Sequence, residues 1–276
     1  MAGMLYLVPT PIGNLGDISQ RCRETLEQAD FIAAEDTRVS LKLLNHLGIK
    51  KSLVSYYEHN KTFKGDKIVE RILAGETCAL VSDAGSPAIS DPGEDLVKQC
   101  AQAGIPVCAI PGPCAAITAL SISGQATGRF CFEGFLSTAK KSRREHLESL
   151  AKEQRTMIFY EAPHKLVNTL SDMAAVFGEN RPLSLCRELT KLHEEVVRTT
   201  LGEAIAKYTE TPPKGEFVLV VAGAPAEEKE TASSEDAAAR LSQLLDQGLS
   251  RKDAVKQTAQ ELQLPKNVVY EISLQL

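Results

Sequence analysis

The sequence predicts an α/β chain with a first domain on a parallel sheet, a second on a mixed sheet, and a small helical C-terminal appendage. Short, near-continuously apolar runs alternate with amphipathic helical stretches over the first ~120 of 276 residues, as in a sheet covered by helices on both faces. A second block has strands in closer succession, α/β with antiparallel members. A third, beyond a small acidic segment, has helical periodicity alone. The expected boundaries are 1–122, 123–223, a linker at 224–236, and 237–276.

In the first block the expected strands are Leu5–Val8, Phe31–Ala34, Leu53–Tyr56, Ala79–Ser82 and Val107–Ile110. The helix after the first strand is expected to open at Asp17, with Gln20 completing a capping box. Its apolar stripe is Ile18, Cys22, Leu26 and Ala29. The helix after the fourth strand is expected to open at Asp91-Pro92, with Glu94 closing the box, and the next at Pro113. The small polar stretch SISGQATGR at 121–129 separates the blocks. The second block then reads as strand Phe130–Phe135, a basic turn, strand Thr156–Tyr160 and a helix opened by Pro163. That helix has the stripe Leu166, Leu170, Met173, Phe177 and a terminal Gly178. Strands Leu183–Arg187, Glu194–Thr200 and Phe217–Val221 follow. Helices are expected at Ala237–Leu245 and Arg251–Leu262, and PKNVVYEISL completes a helix–turn–helix rhythm.

Composition narrows the classes. The chain is 43% hydrophobic and 24% charged, ordinary for a folded protein. No apolar run approaches the ~18 residues of a membrane span, and the N-terminus lacks a signal-peptide pattern. A cytoplasmic protein without a membrane partner is expected. The seven cysteines are odd in number and never at CxxC spacing, and the five histidines are scattered, so free thiols and no metal are expected. Net charge is −5, which argues against a general polyanion binder. Residues 227–236 alone carry −4, however, so the folded parts can still present a basic face.

Three Gly/Pro-rich loops follow apolar strands: VPTPIGNLGDIS (8–19), SDAGSPAISDPG (82–93) and IPGPCAAITAL (110–120). Open parallel sheets bind ligands outside the carboxyl ends of their strands. None of the loops fits GxGxxG, GxxxxGK[ST] or GxSxG. Further polar clusters are EDTR (35–38), SYYEHN (55–60), FEGF (132–135), FYEAPHKL (159–166) and CRELTK (186–191). A carboxylate directly after a strand is either a helix cap or a site group. For Asp36 and Glu161 both readings stay open.

Taken in order, VPTPIGNLGDIS, AAEDTR, LVSDAGSPAISDPG, PGPCAAITAL, FEGFL, FYEAPHKL, CRELTK and KGEFVLVV closely resemble the ribosomal RNA small subunit methyltransferase I family of the tetrapyrrole-methylase superfamily. The resemblance spans residues ~5–222, with a less specific likeness in the C-terminal segment. It implies a tetrapyrrole-methylase-like fold, a homodimer and S-adenosylmethionine (SAM) in the cleft between two domains. It also implies methylation of the ribose 2′-hydroxyl of a cytidine in the decoding region of 16S rRNA, with the small subunit as partner rather than DNA.

The same resemblance implies cofactor contacts from Pro9, Asp83, Ala84, Gly85, Ile89, Cys114 and Ala115, and from Tyr160, Glu161 and Leu189 of the second domain. Asp36 falls where a proton acceptor is expected, with Glu133 and Glu161 as the next candidates. RNA phosphates would meet Arg38, Arg187 and Lys191 in the cleft and Lys140, Lys141, Arg143 and Arg144 on the basic turn. The chain has PTPIGNLG where the wider superfamily has a glycine-dense loop, and GSP where it has GDP; both match the rRNA branch. Two rivals remain: a tetrapyrrole methylase of the same fold, and a non-catalytic RNA-binding assembly module.

Overall fold

A computed structural model describes residues 3–225 and 233–276. Residues 1–224 form one compact unit and residues 225–276 another. Most of the expected linker, residues 226–232, lies outside the described residues.

The first sheet contains β1 (Leu5–Leu7), β2 (Phe31–Ala34), β3 (Ser52–Ser55), β4 (Cys78–Val81) and β5 (Val107–Ala109). The order is β3-β2-β4-β1-β5, and every pairing is parallel. Alternation along the strands fills two cores. Ile32, Ala34, Ala79 and Val81 face one side with Cys22 and Leu26 of α1 (Gln20–Gln28) and Leu44 of α2 (Thr37–Leu47). Phe31, Ala33, Cys78 and Leu80 face the other with Ile68 and Ile72 of α3 (Lys61–Leu73) and Leu96 of α4 (Gly93–Gln102). Strands β2 and β4 are buried on both faces, which is why each reads as a continuous apolar run, while the edge strands β3 and β5 are only partly covered.

Around the first sheet the helix starts differ from expectation in three places. Ser19, not Asp17, caps α1 by accepting the Cys22 N–H; Asp17 closes a short 3-10 turn, Leu15–Asp17. At α4, Asp91 accepts the Gly93 N–H at 2.7 Å, but Glu94 pairs with Lys98 rather than closing a box. Helix α5 (Ala115–Ser123) starts two residues beyond Pro113.

The second sheet has β6 (Phe130–Phe135), β7 (Thr156–Glu161), β8 (Pro182–Arg187), β9 (Glu195–Thr200) and β10 (Phe217–Val221) in the order β6-β7-β10-β8-β9. Only β6 and β7 are parallel. Phe217, Leu219 and Val221 face α6 (Lys140–Ser149), α7 (Leu166–Phe177) and α8 (Leu201–Glu210). Val218 and Val220 face the opposite side, where they meet Ala116, Ala119 and Leu120 of α5. Helix α5 thus leaves the first sheet and packs on the second.

The C-terminal unit is three helices, α9 (Ser234–Asp246), α10 (Arg251–Glu261) and α11 (Lys266–Ser273), around Leu241, Leu244, Val255 and Val269. Helix α9 begins three residues before its expected start because Ser233 and Asp236 form a reciprocal capping box. Among the described residues no helix is long and apolar enough to cross a membrane.

The basic turn at α6 is partly internal. Arg143 lies 2.7 Å from the Asp172 carboxylate of α7 and also donates to the Ser137 and Thr138 carbonyls. Arg144 sits 3.6 Å from the same carboxylate, while Lys140 and Lys141 are exposed. Arg143 is therefore committed to holding α6 on α7, which is at odds with its expected phosphate contact. Arg143→Ala should lower unfolding free energy by about 3 kcal/mol, the cost of stranding a largely buried carboxylate. Lys140→Ala and Lys141→Ala should stay within about 0.5 kcal/mol of the parent. Urea titration of the three variants checks this; equal midpoints would make Arg143 a surface charge like its neighbours.

Candidate active-site cleft

The three glycine- and proline-rich loops converge at the carboxyl edge of the first sheet, and hydrogen bonds fasten them together. Thr10 and Gly85 exchange backbone hydrogen bonds at 2.9 and 3.0 Å, and the Thr10 hydroxyl donates to the Ser82 carbonyl at 3.2 Å. The Ser86 hydroxyl donates to the Pro113 carbonyl at 2.9 Å. Gly85 has φ +84°, a conformation a side chain would strain. The second sheet supplies the opposite wall. Between them lies a cleft of about 520 Å³, within the range of small-molecule sites.

Nine expected cofactor residues line this cleft: Asp83, Ala84, Gly85, Ile89, Cys114, Ala115, Tyr160, Glu161 and Leu189. Pro9 is not on its wall; it packs against Gly112, where an added Cβ would lie 2.6 Å from the proline Cβ. Tyr160 joins the two halves. Its hydroxyl accepts the Ala116 N–H at 3.1 Å at the start of α5, and its ring meets Phe132 and Phe135 edge-on at 5.0 and 5.4 Å. Burial pushes its phenol up to about 12.

The carboxylates divide sharply. Asp36, the expected proton acceptor, is not on the cleft wall. It caps α2 by accepting the Arg38 N–H at 2.8 Å and is held by the Arg38 guanidinium at 2.6 Å. Those hydrogen bonds lower its pKa to about 2, a poor proton acceptor. Glu133 lies outside the wall as well, 2.9 Å from His146. Glu161 is buried and spent on structure: it accepts the Thr169 hydroxyl at 2.6 Å and the Ala162 N–H at 2.8 Å.

Glu35, one residue before Asp36, does line the cleft. Burial raises its pKa, and Asp83 and Asp91 raise it further. Asp91 is likewise raised by burial, despite hydrogen bonds from the Gly93 and Ala88 N–H groups, and its second carboxylate oxygen is buried without a partner. The only signal for Glu35 in the sequence was its place directly after a buried strand, which Asp36 shares. Ile12, Phe135 and the Glu216–Val218 stretch also line the cleft and were not singled out for it.

The cations expected to meet RNA in the cleft are not on its wall, and all three are paired. Arg187 sits 3.0 Å from Glu195, and Lys191 bridges Glu188 and Glu216 at 2.8 and 2.9 Å. These pairs tie β8 and its following loop to β9 and β10. Arg38 is paired as well, with Asp36, but keeps 87% of its side chain exposed. Among the described residues no His/Cys/Asp/Glu group is arranged to hold a metal.

Residues 4–205 match the family model of tetrapyrrole (corrin/porphyrin) methylases, and residues 231–276 match a model described as the RsmI C-terminal HTH domain. The chain is 51% identical to the ribosomal RNA small subunit methyltransferase I of a Synechocystis strain, over 99% of this chain and 98% of that protein. It is 46% identical to the protein of that name from Escherichia coli O157:H7, over 99% and 95%. Among solved structures, diphthine synthase aligns with TM-score 0.61 at 14% identity, over 80% of this chain and 90% of that one. A Thermus thermophilus uroporphyrin-III C-methyltransferase complexed with S-adenyl homocysteine aligns at 0.56 with 17% identity, over 79% and 97%. At these identities the structural likeness establishes the fold.

Tyr160→Phe removes the acceptor for the Ala116 N–H. Unfolding free energy should fall by about 1–3 kcal/mol, the cost of one unsatisfied buried donor. Calorimetric melting of parent and variant checks this, and unchanged melting would mean that α5 is seated by packing alone.

Proposed function

The chain belongs to the tetrapyrrole methylase family, among the ribosomal RNA small subunit methyltransferase I proteins, and from that premise we propose that it transfers a methyl group from SAM to a ribose 2′-hydroxyl of a cytidine in the decoding region of 16S rRNA. The small subunit, in the cytoplasm, is the substrate, and the enzyme works as a homodimer. The observation that carries the SAM reading is the charge of the cleft. Glu35, Asp83, Asp91, Glu161 and Glu216 line it, no Lys or Arg does among the described residues, and Lys191 offsets Glu216 from outside the wall. Such a wall attracts a sulfonium and an ammonium group. It repels a tetrapyrrole, whose side chains are carboxylates.

The loop backbone at 82–86 and the apolar Ile12, Ile89 and Leu189 suit a nucleoside and a thioether chain. When bound, SAM supplies the electrophilic methyl group. The residues of the chain must align a ribose hydroxyl with it and accept a proton as the oxygen attacks. Glu35 is the side chain we assign to that proton. Its raised pKa makes it a better acceptor than Asp36, and its carboxylate is on the wall where Asp36's is not. Arg38 at the rim is placed to meet a phosphate next to the target ribose.

The decisive assay is incubation of the protein with radiolabelled SAM and either unmethylated small subunits or uroporphyrinogen III. Label in 16S rRNA, mapped by mass spectrometry to a cytidine ribose, is expected. Label in the porphyrin alone would overturn the reading, and label in neither would favour a binding module.

Glu35→Gln should leave SAM affinity within a few-fold and slow single-turnover methyl transfer at least tenfold, against typical general-base contributions of ~10²–10⁴. Asp36→Asn should be nearly silent, because Asn caps a helix as well as Asp. A base acts when deprotonated, so the parent rate should climb as pH rises through the raised pKa of Glu35 and then level off. Glu35→Gln should lose that limb. A limb that survives in Glu35→Gln and vanishes in Asp36→Asn would return the role to Asp36.

A further inference from the structure

One cluster from the sequence has no part in the cleft. The segment SYYEHN and the start of α3 place two aromatic rings in solvent, Tyr57 at 41% and Phe63 at 63% exposure, with His59 also exposed between them. Neither ring belongs to the adjacent core, which takes Tyr56, Ile68 and Ile72 from the same stretch. Folding therefore does not account for them.

The turn that carries them is built. Asn60 accepts the Tyr57 N–H at 2.8 Å and donates to the Ser55 carbonyl at 3.3 Å. Lys61 bridges Glu58 and Asp95 at 2.7 and 2.6 Å, pinning the start of α3 to α4. Tyr57 and His59 meet edge-on, with ring centres 6.3 Å apart. Lys67 lies 4.2 Å from the centre of the Phe63 ring, and Lys64 stands one turn before it on the helix.

Register puts this turn beside the cleft. Ala34 of β2 pairs with Ser55 of β3, and the Tyr56 N–H still donates to the Ala34 carbonyl at 2.8 Å. Tyr57 therefore leaves β3, the strand next to β2, whose end carries the Glu35–Asp36 turn. The exposed Arg38 guanidinium starts the neighbouring helix.

We infer that Tyr57, His59 and Phe63 form a stacking platform for unpaired nucleotides of the substrate RNA at the margin of the cleft. The inference rests on the RNA-methylation reading above. Aromatic faces accept any base, and cations next to them meet the phosphates between bases. Lys61 is shared between Glu58 and Asp95, and Lys64 and Lys67 stand beside the rings on a helix that also carries Asp66 and Glu70, so the phosphate contacts are local to these two lysines. A ribose hydroxyl can enter the cleft only from an unstacked nucleotide, so a platform at the mouth would hold its neighbours apart.

The test uses the full chain as parent, Tyr57→Ala/Phe63→Ala, and Tyr57→Phe/Phe63→Trp. Ligands are a labelled single-stranded RNA oligonucleotide, a blunt RNA duplex and purified small subunits, with SAM affinity measured alongside. The alanine pair should bind the single strand and the subunit about tenfold or more weakly. The aromatic pair should bind like the parent, and duplex and SAM affinities should not move. Single-strand affinity unchanged in the alanine pair would overturn the inference. So would a loss on subunits with none on the oligonucleotide, which would assign the rings to a ribosomal protein. A parent that binds SAM but neither binds RNA nor methylates subunits would fail the functional reading itself. A parent that methylates subunits, beside an alanine pair that binds the single strand equally well, would fail the platform alone.

Discussion

The cleft depends on how α5 is seated. This helix starts on the first sheet's last loop and lies on the second sheet, where Ala116, Ala119 and Leu120 join Ile158, Cys186, Val218 and Val220 in one core. Its sequence, AAITALSIS, is apolar nearly all round, as a helix covered on several sides must be. Both ends are hydrogen-bonded across the junction. Tyr160 accepts from Ala116 at its start, and at its end Arg198 and the Ser184 hydroxyl donate to the Ser123 carbonyl, each at 2.9 Å. A helix end without such partners leaves its carbonyls unsatisfied. The same contacts therefore stabilise α5 and fix the distance between the cleft walls.

Charge is sorted by depth. The cleft wall holds carboxylates, and Glu35 and Asp91 carry raised pKa values because burial and mutual repulsion favour their neutral forms. Lys191 offsets one of these carboxylates, Glu216, and also pairs with Glu188, while Arg187 and Arg143 are engaged elsewhere, with Glu195 and Asp172. Exposed cations such as Arg38, Lys140 and Lys141 remain at the surface. A chain of net charge −5 can thus keep an interior suited to a cationic cofactor and still meet a polyanion at its rim, because screened surface charges act locally.

The central strands were legible because burial on both faces leaves a continuous apolar run, and no observed strand bound differs from its expected one by more than a residue. Caps were less legible: Asp17 and Ser19 are both good capping residues, and only the backbone path shows which side chain reaches a free N–H. The loops that line the cleft were legible in the sequence, and which of the neighbouring carboxylates faces it was not. Glu35 and Asp36 are adjacent acids after one strand. What separates them is Arg38, whose guanidinium takes Asp36 and leaves Glu35 facing the cleft. The basic turn shows the same limit, because the partner of Arg143 is Asp172, 29 residues away in sequence on another helix. On the basic turn a long-range partner decides which charge is free, whereas the Asp36–Arg38 pair is local and only the backbone path shows which of the two adjacent acids takes it.

Backbone strain shows where the fold yields to the site. Ala88 and Ser90 have φ of 67° and 62°, and across the cleft Glu188 and Thr190 have 51° and 66°. Each such residue costs of order 1–3 kcal/mol in a region that favours glycine. Each pair brackets one apolar side chain of the cleft wall, Ile89 on one side and Leu189 on the other. Both loops are held by carboxylates that accept backbone N–H groups. Asp91 takes Ala88 at 3.0 Å and Gly93 at 2.7 Å; Glu194 takes Thr190 at 2.6 Å, and Glu188 takes Glu216 at 2.9 Å. Charge-assisted bonds of this kind are about twice as strong as neutral ones, enough to offset much of the strain. The arrangement keeps two apolar contacts at fixed positions on opposite walls while the loops remain short. Glycine at the four strained positions would relieve the backbone and loosen the two side chains between them, which accounts for non-glycine residues where glycine is the easier choice.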